Sequence, residues 1–190
     1  EFTYQNLLGL SDFVTNKIKT RSIVFLICNN SYEFLASYVG LIRKKIVFFL
    51  INYNIKENDL DSLIKLYKPE YIIKPNDLNF NFSFLEFRNI NSKYHILKTN
   101  FKIYKVQKKL ALLLSTSGST GSPKFVKISY LNLSDNTKKI SEFLKISDTD
   151  KTITTLQPNY VYGLSIINSH LIKGALIVLC QRSLVEKKFW

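Results

Sequence analysis

The chain has 190 residues, 46% hydrophobic and 22% charged, which is enough apolar material for a buried core in one or two domains and excludes disorder throughout. Its longest apolar runs, SIVFLIC at 22–28 and IVFFLI at 46–51, are the length of strands and fall short of the roughly 18 residues of a spanning helix, so no membrane span is expected. The net charge of +13 raises nucleic acid as a partner, yet all but four of the 27 basic residues are lysines. Readers of bases lean on the arginine fork, so no specific nucleic-acid partner is expected.

The start, EFTYQNLL, has no basic region, apolar stretch and small-residue cleavage site in sequence, so no secretion signal is expected. Nor does it open with Met, which fits a trimmed or partial product. Cys28 and Cys180 each end an apolar run, with no Cys or His nearby at metal spacing. Both are expected as buried free thiols in a reducing cytoplasm, and no metal site is expected.

From residue 22 onward, short apolar runs alternate with helical periodicity, the pattern of an α/β fold with a mostly parallel sheet flanked by helices. The run at 22–28 reads as a strand covered on both faces. Asn30 or Ser31 then caps a helix whose Leu35, Tyr38, Val39 and Ile42 form one stripe, and whose end carries Arg43, Lys44 and Lys45. A second buried strand follows at 46–51. Asn54 and Glu57 resemble a capping box for a helix presenting Leu60, Leu63, Ile64 and Tyr67, which Pro69 stops. A third strand is expected at 71–73.

Between 75 and 100 the periodicity fades and Asn and Phe interleave, so an irregular connection is expected there. It suggests two parts: a first α/β subdomain at 1–97 and a second, partial α/β subdomain at 98–190. Strands are expected at 110–114 and 125–128. Ser129 then caps a helix carrying Leu133, Thr137, Ile140 and Leu144. A strand at 152–156, a helix at 161–172 and a strand at 175–179 complete the order. His170 on that helix and His95 read as structural histidines.

Between the strands at 110–114 and 125–128 lies STSGSTGSPK, in which eight of ten residues are Ser, Thr or Gly. Glycines let consecutive backbone N–H groups turn toward one anion, hydroxyls add donors and Lys124 adds a full charge. A flexible linker shares this composition, but a spacer has no reason to be pinned between two buried strands or to end in Pro-Lys. A Walker A loop fails on spacing, because the fifth residue after Gly118 is Pro123. The residues that follow, FVKIS, alternate like a strand, so phosphate would be held without a helix N-terminus.

The stretch LLLSTSGSTGSPKFVKIS resembles the phosphate loop of the adenylate-forming (AMP-binding) superfamily of acyl-CoA synthetases, adenylation domains and luciferases. The segments VFLICNNSYEFLASYVGLIRKKIVFFLINYNIKENDLDSLIKLYKPEYII upstream and YLNLSDNTKKISEFLKISDTDKTITTLQPNYVYGLSIINSHLIKGALIVL downstream are similar to the flanking parts of that family. The resemblance implies the N-terminal part of the large domain of such an enzyme. It implies attack of a carboxylic acid on the α-phosphate of ATP with Mg²⁺, release of pyrophosphate, and transfer of the acyl group to a thiol. Coenzyme A or phosphopantetheine would accept the acyl group, the latter on an acyl carrier protein.

By the same resemblance, Thr116, Ser117, Gly118, Ser119, Thr120 and Gly121 would line the ATP phosphates with Lys124 as countercharge, and Tyr160, Tyr162 and Gly163 would begin the acyl pocket. Phe125 departs from the glycine that commonly follows Pro-Lys in the family. The sequence ends at Trp190, before the family's Tyr-Gly-x-Thr-Glu segment, ribose-binding Asp, hinge and C-terminal catalytic Lys. No catalytic residue is therefore expected within the chain, and the chain alone is expected to be inactive. The alternative reading is a non-catalytic truncated or split module that binds a partner chain.

Overall fold

The computed structural model describes residues 1–79, 82–101, 106–115, 124–182 and 186. Two parallel strands, β1 (Ile23–Cys28) and β2 (Val47–Asn52), form its centre, in register from Ile23 opposite Val47 to Cys28 opposite Asn52. Successive side chains of a strand point to opposite faces, so each unbroken apolar run feeds two cores. Val24, Leu26, Cys28, Phe48 and Leu50 join one, and Phe25, Ile27, Val47, Phe49 and Ile51 join the other. The first core is closed by α1 (Tyr4–Thr15), α2 (Tyr32–Arg43) and α5 (Val161–Leu171), the second by α3 (Glu57–Tyr67).

Two more parallel strands flank this pair: β3 (Tyr71–Pro75) on β1 and β6 (Leu110–Ser115) on β2. Antiparallel strands extend both sides. On one side β5 (Tyr94–Lys98) pairs with β3 and β4 (Glu86–Asn89) with β5; on the other, β7 (Phe125–Ser129) pairs with β6. The seven-stranded order is β4-β5-β3-β1-β2-β6-β7. After α4 (Tyr130–Phe143), β8 (Lys151–Thr154) and β9 (Leu176–Leu179) form a separate parallel pair with α5 between them in sequence. The α/β fold with a mostly parallel, helix-flanked sheet is as the sequence predicts.

Side-chain hydrogen bonds tie the second sheet to the first. Asn30 Nδ2, in the turn between β1 and α2, donates to the carbonyls of Thr154 (3.3 Å) and Cys180 (2.8 Å). Tyr38 Oη on α2 donates to Asn168 Oδ1 on α5 at 2.8 Å, and Tyr4 Oη on α1 donates to the carbonyl of Ala175 at 2.7 Å. Of the two cap candidates, Ser31 is the N-cap of α2, accepting from the Phe34 amide, which leaves Asn30 for this clamp.

Four local expectations change. The stretch at 75–100 contains β4 and β5, which are short and escape a periodicity search because β4, Glu-Phe-Arg-Asn, is largely exposed. Helix α1 was unforeseen because its buried stripe, Leu7, Ser11, Val14 and Thr15, is half hydroxyl residues. Those small side chains meet Gly40 of α2, where a Cβ would lie 2.6 Å from the Ser11 carbonyl oxygen, so the two helices approach closely. The N-cap of α3 is Lys56, without a side-chain cap bond, instead of Asn54; Asn52 Oδ1 accepts from the Asn54 amide in a turn of its own. Finally, Cys28 is buried but Cys180 only half-buried.

Candidate functional site

The hairpin of β6 and β7 carries the predicted phosphate loop. Thr116, Ser117, Gly118, Ser119, Thr120 and Gly121 lie outside the described residues, whereas both sides of the stem are described. Ser115 stands opposite Phe125 and Leu114 opposite Val126. β6 is sheltered, with Ala111 to Leu114 all buried, because it is wedged between β2 and β7. The loop therefore follows the carboxyl end of a strand parallel to β1 and β2 and paired with β2, the end at which α/β sheets place their ligands. Lys124 is exposed at the return of the loop.

Phe125 explains how the stem is held. Its ring packs edge-to-face against Phe49 of β2 (centroids 4.9 Å apart, planes at 76°) and against Tyr67 at the end of α3 (5.6 Å, 83°). The sequence marks Phe125 only as a departure from glycine; that it joins the second core is a tertiary fact. Ile128, on the opposite face of the same strand, packs against the first core.

Tyr160, Tyr162 and Gly163 come together at the start of α5, with Tyr160 as N-cap. The two tyrosines are exposed, at 48% and 66%. Gly163 is buried, and a Cβ there would sit 2.6 Å from the Gln157 carbonyl oxygen and 2.9 Å from that of Leu156. Glycine is thus required for the first turn of α5 to lie on the loop before it. Lys124 immediately precedes β7, and α4 packs against both β7 and α5.

Burial sets the chemistry of the nearby titratable groups. It pushes the Cys28 thiol well up, against a smaller opposing effect from the Ile51 backbone. It likewise pushes the Tyr38 hydroxyl up, despite the hydrogen bond to Asn168. Both groups are therefore neutral near pH 7 and serve packing rather than acid–base work. Among the described residues no group of three or more His, Cys, Asp or Glu could hold a metal ion. Among the described residues no helix is long and apolar enough to cross a membrane. A cavity of about 790 Å³, unforeseen in the sequence, opens between the start of α1, the first turn of α2 and β9, with Phe2, Tyr4, Tyr32 and Leu179 among its walls. Among the described residues of the predicted site, Lys124, Tyr160, Tyr162 and Gly163, none lines it.

Residues 4–190 match the family described as AMP-binding enzyme, and the chain belongs to that family. Over 71 residues it is 35% identical to a probable CoA ligase, CCL9, of Humulus lupulus, covering 37% of this chain and 14% of that protein. Over 70 residues it is 39% identical to an oxalate–CoA ligase of Arabidopsis thaliana, covering 36% of this chain and 14% of that one. Its fold is similar to that of O-succinylbenzoate coenzyme A synthetase from Bacillus subtilis, solved with ATP and a magnesium ion. That match has a TM-score of 0.72 at 16% identity and covers 99% of this chain and 53% of the other. The matched stretches thus span about one seventh of the curated relatives and about half of the solved structure.

Proposed function

We propose that the chain is the phosphate-loop-bearing part of an AMP-forming acid–thiol ligase. The observation that carries this reading is the STSGSTGSPK loop, set between β6 and β7 at the carboxyl end of the parallel strands in a member of the AMP-binding family. In the proposed reaction a carboxylate oxygen attacks the α-phosphorus of ATP and the bond to the bridging oxygen breaks, releasing pyrophosphate. A thiol then attacks the acyl carbon and AMP leaves. Charge accumulates on the departing pyrophosphate. Thr116, Ser117, Gly118, Ser119, Thr120 and Gly121 would meet it with amide and hydroxyl donors and Lys124 with its ammonium. Mg²⁺ would arrive with the nucleotide and neutralise phosphate charge.

Tyr160, Tyr162 and Gly163 are proposed as the rim of the acyl pocket, supported by the exposure of both rings and the fixed turn beneath them. Coenzyme A is the proposed acceptor, by analogy with the two CoA ligases, with carrier-bound phosphopantetheine the other thiol of the same chemistry. The division at 97/98 is proposed as functional rather than mechanical, since β6 and β7 hydrogen-bond into the sheet built by the first part. Carboxylate-dependent ATP–pyrophosphate exchange with a panel of acids tests the reading, run on this chain and on any longer product of its gene. Exchange in the longer form supports it; exchange in neither sinks it.

The second reading, a split module that takes up a partner chain, is favoured by the outer face of β8 and β9, where Ile153, Leu176 and Val178 are exposed. A chain that sediments as a stable monomer and binds no apolar dye would count against it.

A further inference from the structure

We infer that Phe125 is a positioning residue for Lys124, resting on the phosphate-loop reading: its ring, held by Phe49 and Tyr67, fixes the backbone from which the lysine meets phosphate. Phe125 follows Lys124 directly, and a trans peptide holds consecutive Cα atoms about 3.8 Å apart. A lock on one residue is therefore a lock on the origin of the next.

The lock is built from four elements. Phe125 meets Phe49 and Tyr67 edge-to-face, Phe49 and Tyr67 lie 4.6 Å apart, and Phe49 continues to Phe25 on β1 at 5.1 Å. Edge-to-face contacts are directional as well as apolar, so they restrict rotation where an aliphatic contact would let it slide. The place needs such a device. β7 is an edge strand with β6 as its sheet neighbour, and the next residue, Val126, is 51% exposed. At the loop end of β7, Phe125 is the side chain that reaches a core.

A glycine here would give the return of the loop wide backbone freedom. The ring instead prepays the ordering of the stem, and a charge held ready in place binds an anion more tightly than one that must be ordered on binding. Phe125 itself touches no phosphate in this scheme. Its effect runs through Lys124, and the two residues should therefore behave as one unit under mutation.

The test titrates the 190-residue chain with ATP and, separately, with inorganic tripolyphosphate, at a temperature where circular dichroism shows every variant folded. Phe125→Leu is expected to weaken both ligands roughly fivefold, Phe125→Tyr to bind like the wild type, and Lys124→Ala to weaken binding at least as much as Phe125→Leu. In the Lys124→Ala background, Phe125→Leu is expected to add nothing. Leu63→Ala, a buried change in the same core, is expected to lower stability but leave affinity unchanged. Should Phe125→Leu not fold, Tyr67→Leu removes one wall of the lock from outside the strand and is expected to weaken both ligands in the same way. Wild-type affinity in Phe125→Leu alongside weak binding in Lys124→Ala overturns the positioning role and spares the phosphate loop. Equal weakening by Leu63→Ala, or full additivity with Lys124→Ala, also overturns it. Unchanged affinity in Lys124→Ala overturns the loop reading, and this inference with it.

Discussion

β1 and β9 look alike as strings of letters and differ as structure. Ile-Val-Phe-Leu-Ile-Cys in β1 and Leu-Ile-Val-Leu in β9 are both unbroken apolar runs, the pattern of a strand covered on both faces. β1 is covered, with five of its six residues buried. β9 is covered on one side, where Leu179 packs against the first core, while Leu176 and Val178 stand 39% and 45% exposed beside Ile153 of β8. An apolar run states what a strand can bury. Whether a layer arrives to bury it is decided by other elements, and α3 supplies that layer for the large sheet, where Phe25, Ile27, Phe49 and Ile51 share a core with Leu60, Leu63 and Ile64.

The contrast can be broken most directly by truncating one side chain from each sheet. Phe48→Ala removes a ring that is fully buried and set edge-on to Tyr38 at 5.6 Å, and should cost about 3–5 kcal/mol in chemical denaturation. Val178→Ala should cost under about 1 kcal/mol. Comparable costs would mean that the outer face of β9 is covered in solution. Gly163→Ala sharpens the comparison from the helix that joins β8 to β9. The added methyl meets two carbonyl oxygens under 3 Å away, so a loss of about 1–3 kcal/mol is expected, with the start of α5 the first region to lose amide protection in hydrogen exchange.

A gain should come from the αL positions after helices. Lys45, Lys68 and Lys145 hold φ of 53°, 47° and 53°, a conformation that suits glycine. Lys68→Gly is expected to raise the melting midpoint, by about 1 kcal/mol of stability, as the left-handed C-cap of α3 is relieved of its Cβ. The smallest effect concerns the far edge of the large sheet. Burial, and then the charge of Lys74 paired opposite it on β3, hold the imidazole of His95 below its ordinary value. As pH falls through the ordinary histidine range, the unfolded chain takes up this proton before the folded one does, so stability drops on acidification and levels off below the folded value. His95→Gln should flatten that part of the melting-temperature profile between about pH 7 and pH 5.

Much of the candidate site was legible because its chemistry is local. A run of Ser, Thr and Gly closing on Pro-Lys needs no tertiary partner to be noticed, and flanking apolar runs are enough to assign β6 and β7. Phe125 was visible as an oddity and not as an anchor, because Phe49 and Tyr67 lie 76 and 58 positions away in sequence. Asn30 was read as a candidate cap; its clamp on Thr154 and Cys180 depends on contacts more than a hundred residues distant.

By itself the sequence determined the alternation of strand and helix, the parallel centre of the sheet and the Ser/Thr/Gly-rich motif proposed to hold phosphate, since period, capping and loop chemistry act over a few residues. The tertiary structure decided the rest: that β7 is an edge strand whose loop end is anchored by the Phe125 ring, that α1 packs through serine and threonine onto a glycine, and that β9 leaves one face exposed. Those outcomes depend on which surfaces meet, and residues remote in the chain set them together.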